Sequence, residues 1–168
     1  MAVTANGTPY VESSDLVANY PGVSLALANH IDANTGKILQ VVRATDSTAR
    51  STTSTSFVDA SISVTITPTK NTSSILLIWS LVSQQSANVA HAFQITDSSN
   101  VAISGAERTN NQSGNSTVPI LSQTLIGYNS PATLSAVTYK GRFSSQGGTI
   151  TIPNATQTGQ LYAIEVSA

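Results

Sequence analysis

Residues 61–82 set the strongest constraint on what this chain can fold into. Ile62, Val64 and Ile66 alternate with Ser61, Ser63, Thr65 and Thr67. This two-residue period marks a strand with one buried and one wet face. Pro68 and Lys70-Asn71 then read as a turn. Ile75-Leu76-Leu77-Ile78-Trp79-Ser80-Leu81-Val82 is apolar at every position but Ser80, which predicts a central strand covered on both faces. A polar, disordered chain carries no such run, so the segment requires a folded interior.

The rest of the sequence from about Ile38 continues in the same pattern. Strands are predicted over residues 89–96, 101–103, 118–127, 133–143, 149–152 and 161–166. Asp97-Ser98-Ser99-Asn100, Gln146-Gly147-Gly148 and Pro153-Asn154 serve as turns between them. The Ser/Thr-dense residues 51–56 read as a bridge between two early strands, and residues 107–117 as an exposed polar loop. Eight or nine short strands separated by turns predict a mainly β chain, an antiparallel β-sandwich or jelly roll. Varied strand lengths and one fully apolar strand favour this over a single up-and-down barrel. The 168 residues suit one domain with a short appendage, divided here into a segment 1–36 and a head 37–168.

The first 36 residues read differently. Ser13, Ser14 and Asp15 are N-cap types ahead of Leu16-Val17, Pro21 interrupts and is tolerated as the first residue of a second helix, and Asn34 and Gly36 are stop signals. Leu16, Tyr20, Val23, Leu27 and Ile31 fall on one helical stripe. A helix this short is marginal in water, so the stripe needs a cover. Packing on the chain's own β-region is one reading. Packing on other copies, or into a socket on a larger particle, is favoured because the segment precedes the β-region.

Composition narrows function mainly by exclusion. Charged residues are 9% of the chain, against about 25% in ordinary globular proteins. The seven Lys and Arg are scattered, so no basic stripe awaits a nucleic acid. No apolar run approaches the roughly 18 residues of a membrane span, and the N-terminal residues carry no secretory pattern. The absence of Cys removes disulfides, thiolate metal sites and a Cys nucleophile. His30 and His91 have no partner at metal-binding spacing and read as a polar helix residue and a strand residue with a solvated or hydrogen-bonded ring. No Gly-x-Ser-x-Gly elbow or phosphate-binding loop occurs. No catalytic, cofactor-binding or metal residue is therefore expected, and the chain is read as a non-enzyme. Trp79 and Phe93 are assigned to the core. The candidate contact residues are Glu107, Arg108, Asn110, Asn111 and Gln112 of the polar loop, which reads equally as an ordinary exposed loop, together with Tyr128 near a loop, which reads as a sheet-edge tyrosine with a wet hydroxyl or as a ring that can stack on a sugar.

Several segments carry a resemblance. Gly36-Lys37-Ile38-Leu39-Gln40-Val41-Val42, Ser54-Thr55-Ser56-Phe57-Val58-Asp59, residues 62–68 and Ser74-Ile75-Leu76-Leu77 resemble a β-module of bacteriophage tail fibres and minor virion structural proteins. Ser130-Pro131-Ala132-Thr133, Val137-Thr138-Tyr139-Lys140 and residues 160–166 are similar to the end of that module. Gly7-Thr8-Pro9-Tyr10, Asp15-Leu16-Val17, Ala28, Ile31 and Asp32 are similar to the short leader of phage minor tail proteins. The resemblance implies a virion-located homotrimer. Its leader would dock on other virion proteins of the tail or capsid, and its head would meet a host-surface glycan or protein. It transfers no receptor-contact residue to a position of this chain. The expected function is a short tail-fibre or spike subunit. A capsid decoration or head-fibre protein, a lectin-like module and a polysaccharide-cutting spike are the rivals.

Overall fold

The computed structural model describes residues 2–4, 9–10, 20–34, 37–86, 90–110 and 120–167. The chain divides into two compact units, Met1–Lys37 and Ile38–Ala168. The first holds a two-stranded antiparallel pair, β1 (Ala2–Val3) with β2 (Pro9–Tyr10), and one helix, α1 (Tyr20–Asn34). Pro21 sits in the first turn of α1, where its missing amide costs nothing. Leu25, off the predicted stripe, is exposed, and Leu27, on it, is half-buried. Tyr20, Val23 and Ile31 also lie on α1. Leu16 lies outside the described residues.

The second unit is an antiparallel β-sandwich. Its strands are β3 (Ile38–Asp46), β4 (Arg50–Thr52), β5 (Val58–Ile66), β6 (Ser74–Gln85), β7 (His91–Asp97), β8 (Ala102–Asn110), β9 (Ile120–Asn129), β10 (Val137–Ser145), β11 (Ile150–Ile152) and β12 (Gly159–Val166). One sheet has the order β5-β10-β7-β8. The other is built on β6. Along one edge β6 pairs with β9, and along the opposite edge with β12 and then β11. Outside these lie β3, on β12, and β4, on β11. The predicted mainly β, antiparallel sandwich is the observed architecture.

The core lies between the sheets and follows the two-residue period. Ala60, Ile62, Val64 and Ile66 of β5 face Ile75, Leu77, Trp79 and Leu81 of β6, with Phe93, Ile95, Phe143, Leu125, Leu161 and Ala163 completing the layer. Trp79 meets Phe93 edge to face at 6.0 Å, a favoured geometry for paired rings. Gly141 leaves room for the indole, since a Cβ there would stand 2.8 Å from its ring atoms. Beside it the β5–β10 register shifts, and Ser61 takes φ 57° with its amide donating to Asp59 Oδ1.

Three expectations are corrected. The central strand β6 is only partly covered on its outer face: Ser74 and Val82 are buried, Leu76 and Ile78 are half-buried and Ser80 is exposed, because no second layer packs over the middle of that face among the described residues. The stretch 51–56 is not purely a bridge, because Arg50–Thr52 forms β4. The polar stretch from Glu107 begins as strand, because β8 runs to Asn110 as an edge strand whose wet face needs no apolar side chains.

Candidate interaction surface

The two buried carboxylates of the sandwich hold turns. Glu165 on β12 is fully buried. Its carboxylate accepts from Gln40 Nε2 at 2.6 Å, from the Thr69 amide at 2.8 Å, from the Thr69 hydroxyl at 2.9 Å and from the Lys70 amide at 3.3 Å. Burial pushes the carboxyl up, but these donors outweigh it and hold the pKa at about 2. The group ties the β5–β6 turn to the last strand. Asp46 does similar work at the other end of β3. It pairs with Arg50 at 3.1 Å and accepts from the Thr48 amide and Asn154 Nδ2. Burial raises its pKa, and Arg50, Thr48 and Asn154 bring it below the ordinary carboxylate value.

No group of three metal-ligating side chains occurs among the described residues. His91 is buried, edge-on to Phe93 at 5.5 Å. A concavity of about 320 Å³ is lined by Asp97, Ser98, Asn129, Pro131, Ala136, Val137, Thr138 and Tyr139. Several of its polar groups bond to one another or to nearby backbone. The Tyr139 hydroxyl donates to Asn129 Oδ1 at 2.9 Å, and Asp97 Oδ1 accepts from the Ser99 and Val101 amides. Burial, with the Asp97 charge, pushes the Tyr139 phenol up to about 12. Among the described residues Asp97 is the single acid lining this hollow, where glycoside hydrolysis uses a pair of carboxylates.

The predicted contact residues fall on two strands where the structure describes them. Glu107 and Arg108 are exposed on β8, and Asn110 ends that strand. Asn111 and Gln112 lie outside the described residues. Tyr128 lies near the end of β9, opposite Leu76, and is 57% exposed, a sheet-edge tyrosine.

Strand register shows a surface that the sequence alone did not. On the outer face of the six-stranded sheet, Val41, Ile164, Leu76 and Tyr128 form one row across β3, β12, β6 and β9. The next row is Arg43, Tyr162, Ile78 and Ile126. Ile38 and Val166 extend the patch at one end, while Thr45, Gln160, Ser80 and Thr124 bound it at the other. Val41, Ile126 and Tyr128 are each more than half exposed. The Tyr162 hydroxyl is satisfied locally by Gln160 at 2.6 Å. The outer face of the four-stranded sheet is the opposite in character. Asp59, Arg142, Gln94 and Glu107 share one row there, beside Ser63, Lys140 and Thr96.

No family model and no curated protein matches the chain. Among solved structures it is similar to the VP2 protein of infectious bursal disease virus in derived T=1 particles, at 17% identity and a TM-score of 0.36, over 77% of this chain and 36% of that one. It is also similar to a chain of the T13 particle of the same virus, at 15% identity and a TM-score of 0.40, over 79% of this chain and 36% of that one. The chain thus spans little more than a third of the length of these proteins. Likeness at this level does not extend to function.

Proposed function

We propose that the chain is a structural subunit of a virus particle, of the short-fibre or spike kind. In this reading its N-terminal unit attaches it to other virion proteins and its β-sandwich head makes the outward contacts. The working form is a homotrimer, and the chain acts without catalysis. The resemblance of its segments to phage tail-fibre modules suggests the setting. The observation that carries the reading is an open apolar sheet face on a head whose buried carboxylates serve to hold turns. Such a face is suited to assembly, and groups committed to turns are not poised for chemistry.

Native mass spectrometry of the full chain at micromolar concentration tests the trimer. The expected species has three times the 17.4 kDa chain mass. A monomer throughout that range counts against it. Antibody labelling of intact particles then separates tail from capsid placement.

A further inference from the structure

We infer that the outer face of the six-stranded sheet is the seam between heads, with further copies of this chain as its occupants; the inference rests on the homotrimer reading above. The face, centred on Val41, Ile164, Leu76, Ile78, Ile126 and Tyr128, turns toward the axis of the assembly. The polar face of the other sheet, where Asp59, Ser63 and Glu107 are exposed, stays outside the seam.

Three observations select copies of the chain over a different partner. First, charge sets only a small barrier. The chain's net charge is -1, and the two central rows carry one formal charge, Arg43. Each like face therefore opposes the next with a single cation, which lies at its β3 edge and not at its centre.

Second, the two edges of the face complement each other. Arg43 lies on β3 at one edge and makes no ion pair among the described residues. The exposed ring of Tyr128 lies on β9 at the other edge, one row away. When the β3 edge of one head meets the β9 edge of the next, the guanidinium comes against the phenol face, a favourable cation–π pairing. Within one chain these edges are three strand spacings apart, about 14 Å, so the pairing is available only between copies.

Third, the area suits a ring. Four strands about 4.8 Å apart and three rows about 6.7 Å apart make a face on the order of 400 Å². That is about half of what each partner gives a standard two-body interface. A pair held by this face alone is weak. A closed ring lets every head meet two neighbours and engages both edges.

The absence of native cysteine makes the test clean. The full-length Val41→Cys/Tyr128→Cys chain is oxidised and run on a non-reducing gel. An intrachain disulfide is out of reach across about 14 Å. Bands at one, two and three chains that end at three support the seam. In parallel, Val41→Asp/Ile126→Asp is expected to raise the dissociation constant of the trimer by about a hundredfold or more. The circular dichroism spectrum should stay that of the wild type, since both side chains are more than half exposed in the single head.

A wild-type trimer whose cysteine variant does not cross-link, or whose aspartate variant still trimerises at wild-type affinity, overturns the seam and leaves the trimer standing. Cysteines reactive to maleimide in solution but protected on the particle, with no cross-link between copies, assign the face to a different virion protein and also overturn it. A wild-type monomer removes both the seam and the trimer reading beneath it.

Discussion

Glu165 carries a charge where no cation pairs with it among the described residues. Its stability rests on hydrogen bonds alone, and this fixes the sign of its pH dependence. The folded pKa, about 2, lies below the ordinary 4.5. The contribution is therefore complete above about pH 4.5 and is lost as pH falls through about 2. Glu165→Gln keeps the size but turns an amide donor toward Thr69 and Lys70. The expected cost at neutral pH is about 2–3 kcal/mol, read from urea midpoints. The difference from wild type should shrink as pH drops from 5 toward 2. Gly141 sets the second residue-scale expectation. A methyl group there meets the Trp79 ring and Ile62 Cγ2, at 2.8 and 2.9 Å. Gly141→Ala should cost about 1–3 kcal/mol, with a shift in the emission of the single tryptophan.

At the scale of elements, strands with one apolar face could be read directly from sequence. β5 declares itself by alternation, β6 by its apolar run, and Asp97 to Asn100 by turn chemistry that the structure reproduces through Asp97 Oδ1 and an Asn100 φ of 67°. What escaped were edges. β4 is three polar residues, and β8 carries Glu107 and Arg108 on an exposed edge, with Gly105 at φ 78° breaking the period. The candidate surface escaped for another reason. Leu76, Ile164 and Val41 are far apart in sequence, and only register aligns them in a row. An apolar residue on the second face of a strand also looks in sequence like one more core residue. The same topology ranks local stability. Amide exchange should be slowest in β6 and β12, each paired on both sides, and fastest in β4. Mass spectrometry of deuterium uptake checks this, and a β4 as protected as β12 would contradict it.

On the whole-molecule scale, the two outer faces of the sandwich differ in character, one with apolar rows and the other with polar ones. If heads associate, the thermal midpoint should rise with protein concentration. Scans from about 1 to 100 μM should show this in wild type and not in Val41→Asp/Ile126→Asp. The placement of β12 has one more consequence. This strand, the latest of the described strands in sequence, inserts between β3 and β6, two of the earliest in the sandwich. During synthesis, β3 therefore waits without its neighbour until more than a hundred later residues have left the ribosome. A ribosome that stalls before Gly159 releases a polypeptide missing the middle of a sheet instead of its margin. Such a fragment lacks the strand that joins β3 to β6, so its sheet cannot close.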